Sequence, residues 1–299
     1  MPRGKRDKTA PRRGGPATPA PSRRAGLLQI SGNNIWTRPV SVTSLAHMSP
    51  YITDVAAWQE SWDRQQEAYL PDREHRFTAM LDAVDAVRDD DRLRLLDLAG
   101  GTGTISDRAL RRFPHAEVTL VDLDPALLAL ARASLGDRVT VVTADLNRPD
   151  WHAALPHREY DAVLTATALH WLPGERLERL YAELRDLLRP GGILVNADHM
   201  PDDALPQLTK RLLDRARDRR AARYAAGAAL SWSEWWDRAE ADPALRPLVA
   251  QRRDIYPSGH SPEWTPPVSW HLSALTAAGF AEVGTVWRGG PDAAVAGVR

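Results

Sequence analysis

Leu93-Arg-Leu-Leu-Asp97-Leu-Ala-Gly-Gly-Thr-Gly103 is the stretch whose reading decides the fold. A leucine-rich run breaks into small residues and then into a helical pattern at Ile105, Ala109 and Leu110. This order predicts a buried strand, a glycine turn and a helix start. Glycine carries no Cβ and lets the backbone come close to a ligand, while the free N–H groups of the helix start point at whatever sits there. A nucleotide-like ligand is therefore expected at this corner.

Downstream the chain alternates strand and helix. Glu117 to Asp122 predicts a second strand, Pro125 to Leu135 a helix capped by Asp124, Arg138 to Thr143 a third strand and Tyr160 to Thr165 a fourth. Glu175 to Leu188 predicts a helix that Pro190-Gly191-Gly192 stops, and Ile193 to Ala197 a fifth strand. Strands separated by helices imply parallel pairing with helices on both faces. Ser269 to Ala278 predicts a last helix, and Ala281 to Trp287 and Ala293 to Val298 a closing hairpin.

Upstream, Val55, Trp58 and Trp62, then Phe77, Met80, Leu81, Val84 and Val87, recur at helical spacing on either side of Pro71, predicting two helices before the first strand. Residues 200–268 are too long for a connection and predict an inserted helical cap. The expected organisation is a disordered basic extension at 1–47, covering helices at 48–90, a ligand-binding core at 91–199, the cap at 200–268, and the last helix with its hairpin at 269–299. Residues 1–26 carry eight arginines and lysines against Asp7 alone in a chain whose net charge is zero, so the rest of the chain is acidic. Such an arm cannot bury enough surface to order itself. Convincing patterning begins just after Met48, which raises Met48 as the start of translation.

The chain has 299 residues, 43% hydrophobic and 26% charged, enough for one large domain with an insertion. The absence of cysteine excludes disulfides, thiolate zinc sites and a cysteine nucleophile, and no metal is expected. No run approaches the roughly 18 to 20 apolar residues of a spanning helix, and none near the N-terminus resembles a signal sequence. A cytoplasmic protein without a membrane partner is expected.

A dinucleotide fingerprint would place a third glycine three residues after Gly103, where Ser106 stands. Instead Asp122 closes the second strand 19 residues after Gly103, placed to accept from ribose hydroxyls, and Asp145 follows the third strand. Asp97 to Gly103, Val121-Asp122-Leu-Asp124, Thr143-Ala-Asp145-Leu, Ala168-Leu-His-Trp171 and Leu188-Arg-Pro-Gly-Gly192 together resemble the class I S-adenosylmethionine-dependent methyltransferases. The resemblance covers about 93–197 and rests on five motifs in order.

It implies a Rossmann-like α/β fold: a seven-stranded methyltransferase sheet, mostly parallel with the last strand antiparallel, helices on both faces and a helical cap. It also implies S-adenosyl-L-methionine as cofactor. By this resemblance Asp97, Ala99, Gly100, Gly101, Thr102 and Gly103 cradle its amino-acid part, Asp122 binds the ribose, Leu123 packs on adenine, Asp145 and Leu146 hold the adenine edge, and Thr165 ends the fourth strand beside the site. The family usually has glycine where Ala99 stands, so a slightly different backbone is expected there.

Methyl transfer needs alignment and exclusion of water more than covalent help, and a base only for a protic acceptor. His170, just past the fourth strand, and His199, just past the fifth, are the candidate bases; His260 and His271 are more distant ones. Trp62, Trp171, Trp232, Trp236 and His260 are candidates to line the acceptor pocket, although tryptophans such as Trp62, Trp232 and Trp236 more often serve simply as packing. The amino methyltransferases of nucleic acids place Asn/Asp-Pro-Pro-aromatic after the fourth strand; Thr165-Ala-Thr-Ala-Leu-His-Trp171 departs from that. The Leu-His-Trp run is similar to methyltransferases acting on small carboxylic acids such as trans-aconitate, and to those of natural-product pathways. A small-molecule acceptor with an oxygen, nitrogen or carbon nucleophile, or a carboxylate, is expected rather than nucleic acid. RNA methylation aided by the basic arm, and a non-catalytic cofactor-binding protein whose cap serves a partner, are the alternatives.

Overall fold

The computed structural model describes residues 52–257 and 262–299. The basic extension and His260 lie outside the described residues. Two helices, α1 (Val55–Tyr69) and α2 (Arg73–Val87), stand on either side of Pro71. Asp54 and Asp72 precede them in left-handed backbone, φ 52° and 61°, a conformation that aspartate tolerates better than most residues.

The core alternates as its apolar runs dictate: β1 (Arg94–Leu98), α3 (Thr104–Arg112), β2 (Glu117–Asp122), α4 (Pro125–Leu135), β3 (Val139–Thr143), β4 (Tyr160–Ala166), α5 (Gly174–Leu187) and β5 (Leu188–His199). Helices α6 (Pro206–Ala225), α7 (Trp232–Ala241) and α8 (Arg246–Ile255) follow, then α9 (Val268–Ala277), β6 (Glu282–Gly289) and β7 (Asp292–Val298).

The seven strands form one sheet in the order β3-β2-β1-β4-β5-β7-β6. The first five pair in parallel, and β7 runs antiparallel between β5 and β6. The order in which strands are added to the sheet reverses between the parallel neighbours β1 and β4, so their carboxyl ends border the crevice where ligands bind in open α/β sheets.

One expectation is corrected. Pro190-Gly191-Gly192 is not a turn between helix and strand, because α5 ends at Leu187 and β5 already begins at Leu188. Leu188 pairs with Tyr160 and Ile193 with Ala162, so the intervening residues bulge out of the ladder. Gly191 takes φ 77° in that bulge, and a Cβ on Gly192 would sit 2.9 Å from the Asp161 carbonyl oxygen.

Three apolar clusters result. One lies on the sheet face covered by α5 and α9, with Tyr160, Leu194 and Leu275 at its centre. The second lies on the opposite face under α2 and α3, around Met80, Leu95 and Leu120. The third, around Trp58, Trp62, Leu127 and Trp235, joins α1 and α4 to α7 and α8. Helix α6 buries only Thr209 and leaves Leu208 half exposed. No helix among the described residues is long and apolar enough to cross a membrane.

Candidate active site

The glycine turn is fixed from beneath by Asp97. Oδ2 of this fully buried carboxylate accepts from Ser106 N and Oγ at 2.9 and 2.6 Å, while Oδ1 has no partner. Burial pushes its pKa up to about 6 despite the two bonds from Ser106. A Cβ on Gly100 would lie 2.7 Å from the Asp97 carboxyl carbon, so only glycine lets the chain pass over that acid. Ala99 stands at φ 53°, a left-handed conformation that favours glycine. Gly101 and Gly103, at φ 56° and 82°, complete the turn.

Asp122 closes the turn from the side. Its Oδ2 accepts from Gly101 N at 2.8 Å, and its Oδ1 from Leu123 N and Asp124 N at 2.7 and 2.8 Å. A carboxylate offers about four acceptor directions, so three are used in shaping the loop and one is left for a ligand hydroxyl. Burial raises its pKa against those backbone bonds. Asp124 caps α4 by accepting from Ala126 N and Leu127 N. Asp145 accepts from Asn147 N at 2.9 Å and Nδ2 at 3.1 Å, which shapes the loop after β3, and Leu123 and Leu146 are half-buried beside these acids.

Helix α1 clamps the same turn from above, a part of the site that no motif announces. Gln59 Nε2 donates to Thr102 Oγ1 and Thr104 Oγ1, both at 3.0 Å. Asp63 accepts from Thr104 Oγ1 at 2.9 Å, Arg73 Nη1 at 2.6 Å and Arg108 Nη2 at 3.0 Å. Trp62 completes the clamp: a Cβ on Gly101 would sit 3.8 Å from its ring.

Across the crevice, His170 and His199 each meet an aspartate. The Nδ1–H of His170 donates to both Asp198 oxygens at 2.8 and 2.9 Å, in a pair almost wholly buried. Nδ1 of His199 pairs with Asp292 Oδ1 at 2.6 Å. Burial works against the charged form of His170, but the charge and hydrogen bond of Asp198 outweigh it and raise the imidazole pKa. The same contact lowers that of Asp198 although burial opposes it. No hydrogen bond among the described residues reaches Nε2 of His170, and that atom is not among the fully buried unpaired ones.

Tyr69, at the end of α1, lies 4.9 Å from the His199 ring and 6.3 Å from that of His170, with the Arg220 guanidinium 5.0 Å over its own ring. Thr167, at φ 53°, holds a strained turn between β4 and His170. Thr165 Oγ1 and Asn196 Oδ1, register partners behind the dyad, are buried without partners.

His271 stands apart. Asn196 Nδ2 donates to the Tyr181 hydroxyl, so that hydroxyl's own proton goes to Nδ1 of His271 at 2.7 Å. Burial lowers the His271 pKa to about 4, in keeping with a neutral ring.

Among the tryptophans, the Trp171 ring packs at a tilt against His170, centroids 4.7 Å apart. Trp62, Trp232 and Trp236 form a separate cluster with the glycine turn and α4, and Arg252 lies 3.9 Å over the Trp236 ring.

Residues 95–192 match the family described as a methyltransferase domain. This core is a class I S-adenosylmethionine-dependent methyltransferase domain, with the glycine turn and strand-end acids in the expected order. Over 136 residues the chain is 33% identical to trans-aconitate 2-methyltransferase of Streptomyces avermitilis, covering 45% of this chain and 49% of that protein. Over 106 residues it is 40% identical to the ubiquinone/menaquinone biosynthesis C-methyltransferase of Methylobacterium nodulans, covering 33% and 39%. The matched stretches thus span about half or less of these curated relatives. Human N-acetylserotonin methyltransferase in complex with its methyl donor aligns over 82% of this chain and 58% of that one at 15% identity, with a TM-score of 0.48.

Proposed function

We propose that this chain transfers the methyl group of S-adenosylmethionine to a small-molecule acceptor whose nucleophilic atom must lose a proton, with His170 as the base. The observation that carries this reading is the buried His170–Asp198 pair, 2.8 Å apart, at the carboxyl ends of β4 and β5. Asp198 holds the Nδ1 proton, which leaves Nε2 as the atom able to take one. A carboxylate acceptor would need no such group.

The donor, when bound, supplies an already activated sulfonium methyl. The chain's own residues do the rest. Residues 99–103 give their backbone to the amino-acid end of the donor, the remaining acceptor direction of Asp122 takes a ribose hydroxyl, and Asp145, Leu123 and Leu146 border the adenine. Tyr69 and Trp171 flank the His170 ring and exclude water there, which favours transfer to the intended acceptor. His199, held by Asp292, orients the acceptor from the other side, and Arg220 offers a cation at the same mouth.

The test is to mix protein and S-adenosylmethionine with a panel of hydroxyl, amine and carboxylic metabolites and follow release of S-adenosylhomocysteine. Protic acceptors should turn over with the wild type and be slowed by His170→Ala. Turnover confined to carboxylates, untouched by that substitution, would overturn the base assignment. Calorimetry on Asp122→Asn should show weakened donor binding; unchanged affinity would remove Asp122 from the site.

A further inference from the structure

The end of α8 comes to the cofactor crevice. Arg252 Nε donates to Asp124 Oδ2 at 2.7 Å, and the two side chains are only 12% and 5% exposed. The same guanidinium lies 3.9 Å from the ring centre of Trp236 and 5.2 Å from that of Tyr256. A few residues further on, Trp264 N donates to the His170 carbonyl at 2.9 Å. The chain is thus tied on one side to the loop after β2 and on the other to the turn after β4, the two banks of the crevice.

Tyr256 stands beside the first tie. Its phenol lies within the electrostatic reach of Asp122, Asp124 and Asp145, the three acids at the ends of β2 and β3. Burial, reinforced by these carboxylates, keeps the hydroxyl protonated. Carboxylates can hold the polar edge of a nucleoside but offer nothing to the flat face of a purine. An aromatic ring does.

We propose that Tyr256 is a cofactor-binding residue, whose ring covers the nucleoside half of S-adenosylmethionine while Arg252, anchored on Asp124, holds that ring in place. The proposal rests on the cofactor reading above. It makes the inserted helices part of the donor site and not only of the acceptor site.

Calorimetric titration of the full chain with S-adenosylhomocysteine, and separately with 5′-methylthioadenosine, tests it. Tyr256→Ala should weaken both ligands by about tenfold or more, the usual effect of removing a stacked aromatic. Tyr256→Phe should stay within about threefold of the wild type. Tyr256→Leu, which keeps apolar bulk for the packing of α8, should lose as much as the alanine variant, so a folding defect in one does not decide the matter. Unchanged affinity in the alanine and leucine variants, or a loss confined to S-adenosylhomocysteine with methylthioadenosine unaffected, would overturn the proposal while leaving the cofactor reading intact. Failure of the wild type to bind either ligand would overturn both.

Discussion

The Asp198 contact sets the pH at which His170 can accept a proton. Because the imidazole pKa is raised above its usual 6.5, the base form appears only on the alkaline side of that value. kcat/KM is therefore expected to rise with pH through an apparent pKa above 6.5. His170→Gln should remove that limb and lower kcat by about 10²- to 10⁴-fold, the range for loss of a general base, with donor affinity unchanged. A pH profile identical to wild type in this variant would show that another group sets the limb.

Stability runs the other way. The raised His170 pKa gives a contribution that is complete below 6.5 and is lost as pH rises through the folded value. The lowered Asp198 pKa gives one that is present above 3.8 and lost as pH falls through its own folded value. The pair thus contributes most in mildly acid solution and gives up part of that as His170 loses its proton.

Ala99 offers a second test at this scale. A non-glycine residue in left-handed backbone costs about 1–2 kcal/mol, and glycine's greater freedom when unfolded returns roughly half of that. Ala99→Gly is expected to stabilise the protein by about 0.5–1 kcal/mol in thermal melts. A lower midpoint would mean that the alanine methyl makes contacts worth more than the strain.

Between elements, the grip of α1 on the glycine turn runs through Asp63, which accepts from one threonine and two arginines. Arg73 is almost wholly buried against it. Removing one partner of a buried ion pair leaves an uncompensated charge, so Asp63→Ala should destabilise by about 3 kcal/mol in urea unfolding, with a weaker donor affinity. Asp63→Asn keeps an acceptor for Thr104 and should cost less. Equal losses in the two variants would mean that the lost charge, not the Thr104 hydrogen bond, carries the effect.

These contacts also mark what the sequence could and could not tell. The glycine turn and the cap Asp124 were legible because each has a local signature, and Asp122 because it ends an apolar strand at a set distance from the turn although it bonds Gly101 far along the chain. Gln59 and Asp63 were not, since they meet Thr102 and Thr104 more than forty positions away with no local signature. The bulge in β5 was hidden for a related reason: Pro-Gly-Gly reads as a break, and only the ladder with β4 carries it into a strand. Likewise Trp232, Trp235 and Trp236 share a helical spacing, but Trp235 is fully buried and Trp232 38% exposed, a division that the neighbouring helices decide.

At the scale of the molecule, two clusters hold the sheet from its faces, and the third holds α7 and α8 onto α1 and α4. Trp235 is the centre of that third cluster, with rings edge-on to Trp58 at 5.5 Å and to Trp62 at 4.9 Å. Because the cluster is separate from those on the sheet, damage to it should loosen the helices above the crevice before it unfolds the sheet. Trp235→Ala removes a side chain of a kind whose deletion typically costs about 3–5 kcal/mol. Amide exchange in α7, α8 and the first turns of α1 is expected to accelerate strongly in this variant, while amides of β1, β4 and β5 keep their protection.

The Trp235 indole N–H has no acceptor among the described residues, so Trp235→Phe gives up apolar area but also releases a buried unpaired donor. That variant should lie much closer to wild type than the alanine one. Uniform acceleration across sheet and helices in Trp235→Ala would instead mean that the third cluster and the sheet unfold as one unit, and that the inserted helices have no looseness of their own with which to admit donor and acceptor.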